Sequence, residues 1–267
     1  MGDFAKAVFA GVALAALALL THWLAQLPYR RYSRLRRYRA ALPDRAAATA
    51  LLGRFGYFLV AATTVAVVAR ARPGDGDGAG PMIAGSFAAN IAFATLVPGL
   101  WVVQRVRPEL FGLRLAGTRR SLRWGVAQFI AWTPWIYAVN FAVRALLATP
   151  PETQHPLVDV IRGKEGVSLA ILGFLVGCVA APLGEEVTFR AALQGWLLRR
   201  LPGWPSIALS ACVFAGLHSS NWPDPIPLFG FGLLLGWIYH QTRSLPTVVV
   251  LHALFNLIAT AAAYFSG

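Results

Sequence analysis

Residues 166–190 read GVSLAILGFLVGCVAAPLGEEVTFR, and no charged side chain interrupts them before Glu185. An apolar run of this length predicts a helix able to cross a hydrocarbon core of ~30 Å, because each helical residue rises about 1.5 Å. The run ends on Glu185-Glu186 and, one turn later, Arg190. A charge near the centre of a membrane helix costs roughly 2.5–3.5 kcal/mol, so two adjacent carboxylates there need partners or water. Glu186 and Arg190 stand i,i+4 and can pair on one helix face. Glu185 is rotated about 100° away and has no evident local partner. The plain alternative is a helix that has already left the membrane, with these charges solvated.

Outward from this segment, seven further apolar runs lie near 7–28, 49–69, 80–104, 124–143, 204–222, 225–242 and 244–265. The expected fold is therefore all-α: a polytopic membrane protein of about eight transmembrane helices, with its catalytic core in the C-terminal helices. N-terminal helices with basic loops are expected over 1–119, and the core over 120–267. Pro98 and Pro134 predict kinks, and Arg54 near the start of the second run can snorkel. The first run is too long for a signal peptide and ends in Pro28 and an arginine cluster, so it reads as a retained helix.

Composition agrees with this reading. Of the 267 residues, 57% are hydrophobic and only 13% charged, well beyond what a soluble domain of this size hides. The net charge of +13 would suit nucleic acid, but the basic residues fall between apolar runs, so no nucleic-acid partner is expected. Arg30, Arg31, Arg34, Arg36, Arg37, Arg39 and Arg45 fill one connection; Arg105, Arg107, Arg114, Arg119, Arg120 and Arg123 fill another. Arg199, Arg200 and Arg243 mark two more, whereas the alternate connections are balanced or acidic (Asp75, Asp77, Asp224). This alternation predicts cytoplasmic odd-numbered loops and both termini outside, with contact to anionic lipid. Cys178 and Cys212 both lie inside apolar runs, which argues against a disulfide framework; a packed thiol is expected at Cys178. Asp75-Gly-Asp-Gly is too short for a calcium site.

Two more ionisable or amide-bearing sites sit in the later runs. Phe214-Ala-Gly-Leu-His218 is in the sixth, and His252-Ala-Leu-Phe-Asn256 in the eighth, where His252 and Asn256 share a face. Taken singly, each also reads as a core histidine or as interhelical glue. Counted from plausible helix ends at 1.5 Å per residue, Glu185 and His252 lie ~10 Å deep, Asn256 ~16 Å and His218 ~18 Å. All four can then meet in one half of the bilayer. Such a set suits hydrolysis. Glu185 takes a proton from water held by His218, His252 and Asn256 donate to the oxyanion of a tetrahedral intermediate, and Glu186–Arg190 orients the helix. No cofactor is called for.

Glu185-Glu186-x-x-x-Arg190, Phe214-x-x-x-His218 and His252-x-x-x-Asn256, in that order, resemble the CPBP family, the prenyl-CAAX endoproteases and their bacterial relatives. Gly232-Leu-Leu-Leu-Gly236 and Ser244-Leu-Pro-Thr247 add to the likeness, which spans about 120–265. The resemblance implies an intramembrane glutamic endopeptidase in which Glu185 and His218 activate water while His252 and Asn256 stabilise the oxyanion. It implies as substrate a C-terminal segment of a membrane protein or a lipidated peptide, met in the lipid bilayer. The Ala- and Arg-rich composition points to a bacterial inner membrane, where a sorting tail competes with a prenylated C terminus as the target. Three other readings stay open. One is a zinc metalloprotease using Glu185, His218 and His252, although His-Glu-x-x-His is missing. Another is a non-catalytic scaffold or bacteriocin-immunity protein on the same fold. The third is a transporter, which would want matching polar features in both halves.

Overall fold

Close helix packing at small residues organises the described part of the molecule, which in this computed structural model comprises residues 43–54, 56, 85, 101–113, 117–147, 167–218 and 222–265. Among the described residues all regular structure is helical and no strand occurs. Five main helices follow one another: α1 (Thr118–Leu146), α2 (167–197), α3 (Gly203–Gly216), α4 (Pro225–Thr242) and α5 (Leu245–Phe265). A helical stretch at 44–54 and a short 3-10 helix, Pro108–Phe111, complete the set.

Three segments, Thr118–Leu146, Ala170–Leu197 and Leu245–Ala262, are long and apolar enough to cross a membrane. Their flanks expose large apolar side chains, among them Ile130 and Phe141 on α1 and Ile171, Val179 and Leu183 on α2, as lipid-facing surfaces do. The protein is an integral membrane protein. The run at 7–28 lies outside the described residues, as do most of 49–69 and 80–104. The sixth run is shorter than its hydropathy suggests: α3 stops at Gly216 after 14 residues, about 21 Å of helix.

The fifth run is longer than expected. It continues without a break to residue 197, so Glu185 and Glu186 sit inside the helix and not at its end. Two wider, π-type turns, Val176–Ala180 and Val187–Gln194, bracket the ordinary helical segment Ala181–Glu186. The first has an evident cause. Pro182 lacks an N–H and its ring crowds the carbonyl four residues back, at position 178 inside that turn. π-type turns of this kind recur at functional sites.

The connections sort into two ends. At one end Asp44 pairs with Arg199 and Arg200, and Gln104 donates to Thr49 Oγ1. There too Leu245 N–H donates to Gly112 O, and Thr247 Oγ1 to Ser121 O. Gly112 has a left-handed φ of +79°, and a Cβ there would lie 2.6 Å from Arg243 O, so only glycine fits. At the other end Arg144 of α1 pairs with Asp224 just before α4. The arginine-rich connections described thus gather at one end of the bundle, as the alternation of charge predicts. Gly125 lets α1 and α5 touch: a Cβ there would stand 2.6 Å from Thr247 O.

Candidate active site

Glu186 is the hub. Its side chain is fully buried, with Oε2 3.2 Å from Arg190 Nε and Oε1 accepting from His252 Nδ1 at 2.8 Å. The helical spacing supplies the first contact, since Arg190 is one turn on from Glu186. Docking of α5 on α2 supplies the second. Arg190 is equally buried; its Nη2 donates to Gly232 O at 3.3 Å, and its guanidinium lies 4.9 Å over the Phe214 ring. One turn later Gln194 Nε2 donates to Gly236 O at 2.8 Å. Arg190 and Gln194 on α2 therefore form two rungs to the carbonyls of Gly232 and Gly236 on α4. Both glycines act in packing, as their spacing suggests: a Cβ on Gly236 would come within 2.8 Å of Gln194 Oε1.

Because the Glu186 carboxylate accepts from Nδ1, His252 carries a proton on that nitrogen and turns Nε2 toward Glu185. The distance from Nε2 to Glu185 Oε2 is 3.8 Å. The imidazole is held on two other sides by aromatic rings, with Phe231 at 5.2 Å and Phe214 at 6.0 Å, both near perpendicular. Phe231 stacks on Phe255 at 4.3 Å, and Phe255 on Tyr137 at 5.3 Å, so the ring's orientation is set by packing as well as by charge.

Glu185 differs from its neighbour in exposure. Its side chain keeps 14% of its surface open against none for Glu186, so of the two it is the carboxylate that water can reach. Its Oε1 lies 3.7 Å from Nη2 of Arg54. Arg54 therefore does not snorkel. Its side chain is buried against the site, ten residues or about 15 Å of helix beyond Asp44.

Asn256 and His218 each bond to a backbone carbonyl. Asn256 Nδ2 donates to Gly177 O at 2.8 Å, within the first π-type turn of α2. The widened turn loosens the helix's own ladder and makes that carbonyl available. Thr260, one turn beyond Asn256, has Oγ1 3.9 Å from Cys178 Sγ, and Cys178 is a buried thiol as expected. His218 lies in the turn just after α3, half-buried, with Nδ1 donating to Phe214 O at 2.8 Å. Its link to the cluster is the Phe214 ring, 5.0 Å from its own and 6.0 Å from that of His252. Among the described residues Glu185, Glu186, Arg190, His252 and Arg54 are brought together directly, and His218 stands one aromatic ring away. The zinc alternative needs Glu185, His218 and His252 on one ion; among the described residues no three His, Cys, Asp or Glu side chains group in that way.

Arg54 and Gln194 were missed as site residues. For Arg54 a signal existed, since an ionisable side chain inside an apolar run is a functional candidate by default. Gln194 follows the run as it appears in the sequence and carries no such mark.

A buried Glu–Arg–His unit and a second, more open carboxylate thus stand among apolar helices. Residues 167–258 match the family described as Type II CAAX prenyl endopeptidase Rce1-like. The match takes in α2, α3, α4 and most of α5, with all three motifs, and the resemblance to the CPBP and CAAX proteases is borne out there. This part of the protein is similar to a family of peptidases. No curated protein and no solved structure matches the chain.

Proposed function

We propose that the protein is an intramembrane glutamic-type endopeptidase that hydrolyses a peptide bond near the C terminus of a membrane-anchored or lipid-modified protein. One observation carries the reading: the two adjacent carboxylates have different environments. Glu186 is fully buried and engaged by Arg190 and His252, whereas Glu185 is partly open and lies 3.8 Å from His252 Nε2. That gap is too long for a direct hydrogen bond and short enough for one water to touch both groups.

The geometry supports the following roles. Glu185 takes a proton from that water as it attacks the carbonyl carbon, then delivers it to the departing amine. Glu186 fixes the tautomer and orientation of His252, as a buried carboxylate does for the histidine of a serine-protease triad. His252 steers the water and, when protonated, donates through Nε2 to the developing oxyanion. Asn256 has two N–H groups; Gly177 O holds one and so aims the carboxamide, leaving the other for the oxyanion. His218 has its Nδ1 proton on Phe214 O and presents Nε2 as an acceptor for water. The first and last of these roles belong to the general-base half of the reaction, and those of His252 and Asn256 to charge stabilisation.

The same proposal includes eight membrane helices, with the arginine-rich end cytoplasmic in a bacterial inner membrane. The decisive test compares the C termini of membrane proteins in cells carrying wild type or Glu185→Gln. Shortened C termini present with wild type and absent with the variant support the reading, and an unchanged set removes it. Chelators leave the activity intact; loss with chelator and recovery with zinc would move the same residues to a metal mechanism.

A further inference from the structure

We infer that Ser210 is a positioning residue: its hydroxyl holds open the second wide turn of α2 and thereby decides which of the two adjacent carboxylates faces the open side of the site. The inference rests on the protease reading for the role of Glu185 and deepens it by naming what presents that base. Ser210 is buried on α3, and its Oγ donates to Phe189 O at 2.8 Å. Phe189 lies within the turn Val187–Gln194. One helical turn beyond Ser210, the Phe214 ring meets the Phe189 ring edge-on at 5.3 Å, so the same face of α3 seats the turn twice.

The two wide turns differ in cause. The first has Pro182 to open it, but the second reads VTFRAALQ and contains neither proline nor glycine. Its own sequence gives no reason for a break in the helical ladder, so the contacts that keep it wide come from outside. Arg190 and Gln194 tie its side chains to Gly232 O and Gly236 O, and Thr188 Oγ1 turns back to Gly184 O at 2.8 Å. Ser210 reaches the turn's own backbone from another helix. Register gives that contact its weight. A π-type turn closes its bonds one residue further along than an ordinary helical turn. Counted back from Gly195, closing the turn would move every earlier residue back by about one place, roughly 100° of rotation and 1.5 Å of rise. Glu186 would then stand where Glu185 stands, and Val187 where Glu186 now meets Arg190 and His252. The hub would hold an apolar side chain, and the open position the other carboxylate. By keeping Phe189 O out of the ordinary ladder, Ser210 presents Glu185 and keeps Glu186 buried.

The test uses the full-length protein in lipid nanodiscs and reads which carboxylate a reagent reaches. The probe is dicyclohexylcarbodiimide, which enters apolar sites; tandem mass spectrometry separates an adduct on Glu185 from one on Glu186. Wild type is expected to carry the adduct chiefly on Glu185. Glu186 is closed in this register, so its labelling scales with the population of the other register. Ser210→Ala is expected to raise labelling of Glu186 relative to Glu185 about fivefold, the factor to which one hydrogen bond of ordinary strength converts. Thr247→Val removes a bond of the same kind, from α5 to Ser121 O and away from α2, and leaves the ratio as in wild type. A purely structural role for Ser210 would make the two variants alike, so equal ratios overturn the assignment. So does a wild type that labels Glu186 as readily as Glu185, or labels neither, a result that needs no change at Ser210. Alanine is the better helix former, and circular dichroism checks that both variants keep their helices. Failure of the protease reading is visible elsewhere, as C termini that Glu185→Gln leaves unaltered.

Discussion

Arg190→Ala removes one partner of an ion pair whose two side chains are 1% and 0% exposed. What remains is a buried carboxylate at Glu186 that keeps His252 but loses its fixed cation. Breaking such a pair from one side costs about 3–5 kcal/mol, because the surviving charge stays desolvated. Gly232 O also loses its donor, and the guanidinium leaves a void against Phe214. The upper part of that range is therefore expected. Removing both charges together, as Glu186→Gln with Arg190→Met, returns much of the loss, since similar volume without charge is often neutral or stabilising. The two single variants should then be strongly non-additive. The assay is equilibrium unfolding in detergent followed by tryptophan fluorescence and circular dichroism, on wild type, Arg190→Ala, Glu186→Gln, Arg190→Met and the double variant. A loss below about 1 kcal/mol for Arg190→Ala, the size of an exposed pair, would refute the buried hub. So would a double variant no more stable than the worse single one.

Glu185→Gln should lower kcat about 10²–10⁴-fold while substrate still binds, the usual share of a general base; near-normal turnover by the purified variant removes Glu185 from the chemistry. Asn256→Ala should cost about 10²–10³-fold through the oxyanion, and combined with Glu185→Gln less than the product of the two; full additivity would assign them to separate events. Gly236→Ala places a methyl 2.8 Å from Gln194 Oε1 and 3.0 Å from Ile207 Cγ2, so a loss of about 1–3 kcal/mol is expected from overpacking, and an unchanged unfolding midpoint would show that α4 can shift. Cysteine placed at Arg119 should react only from the cytoplasmic side, and cysteine at Arg144 only from the other; the reverse pattern inverts the orientation.

Local rules made part of this protein legible from its residues alone. The helix at Pro225–Thr242 has the bounds that its apolar run predicts, and α5 begins within a residue of expectation. Glu186–Arg190 follows from i,i+4 spacing and needs no knowledge of the fold. The motifs at Glu185, His218, His252 and Asn256 were likewise visible, because polar groups stand out in apolar helices where they are expensive. The facing of one helix toward another was not readable in this way. His252 on Glu186, Asn256 on Gly177 and Arg54 beside Glu185 are contacts between residues distant in sequence. They depend on helix rotation, which is set by close approach at Gly232 and Gly236 and by the widened turns around Pro182. The early end of α3 likewise moved His218 out of the helix. Hydropathy reports how long a chain stays apolar, and only packing decides where its hydrogen-bonded ladder stops and which side chains then meet.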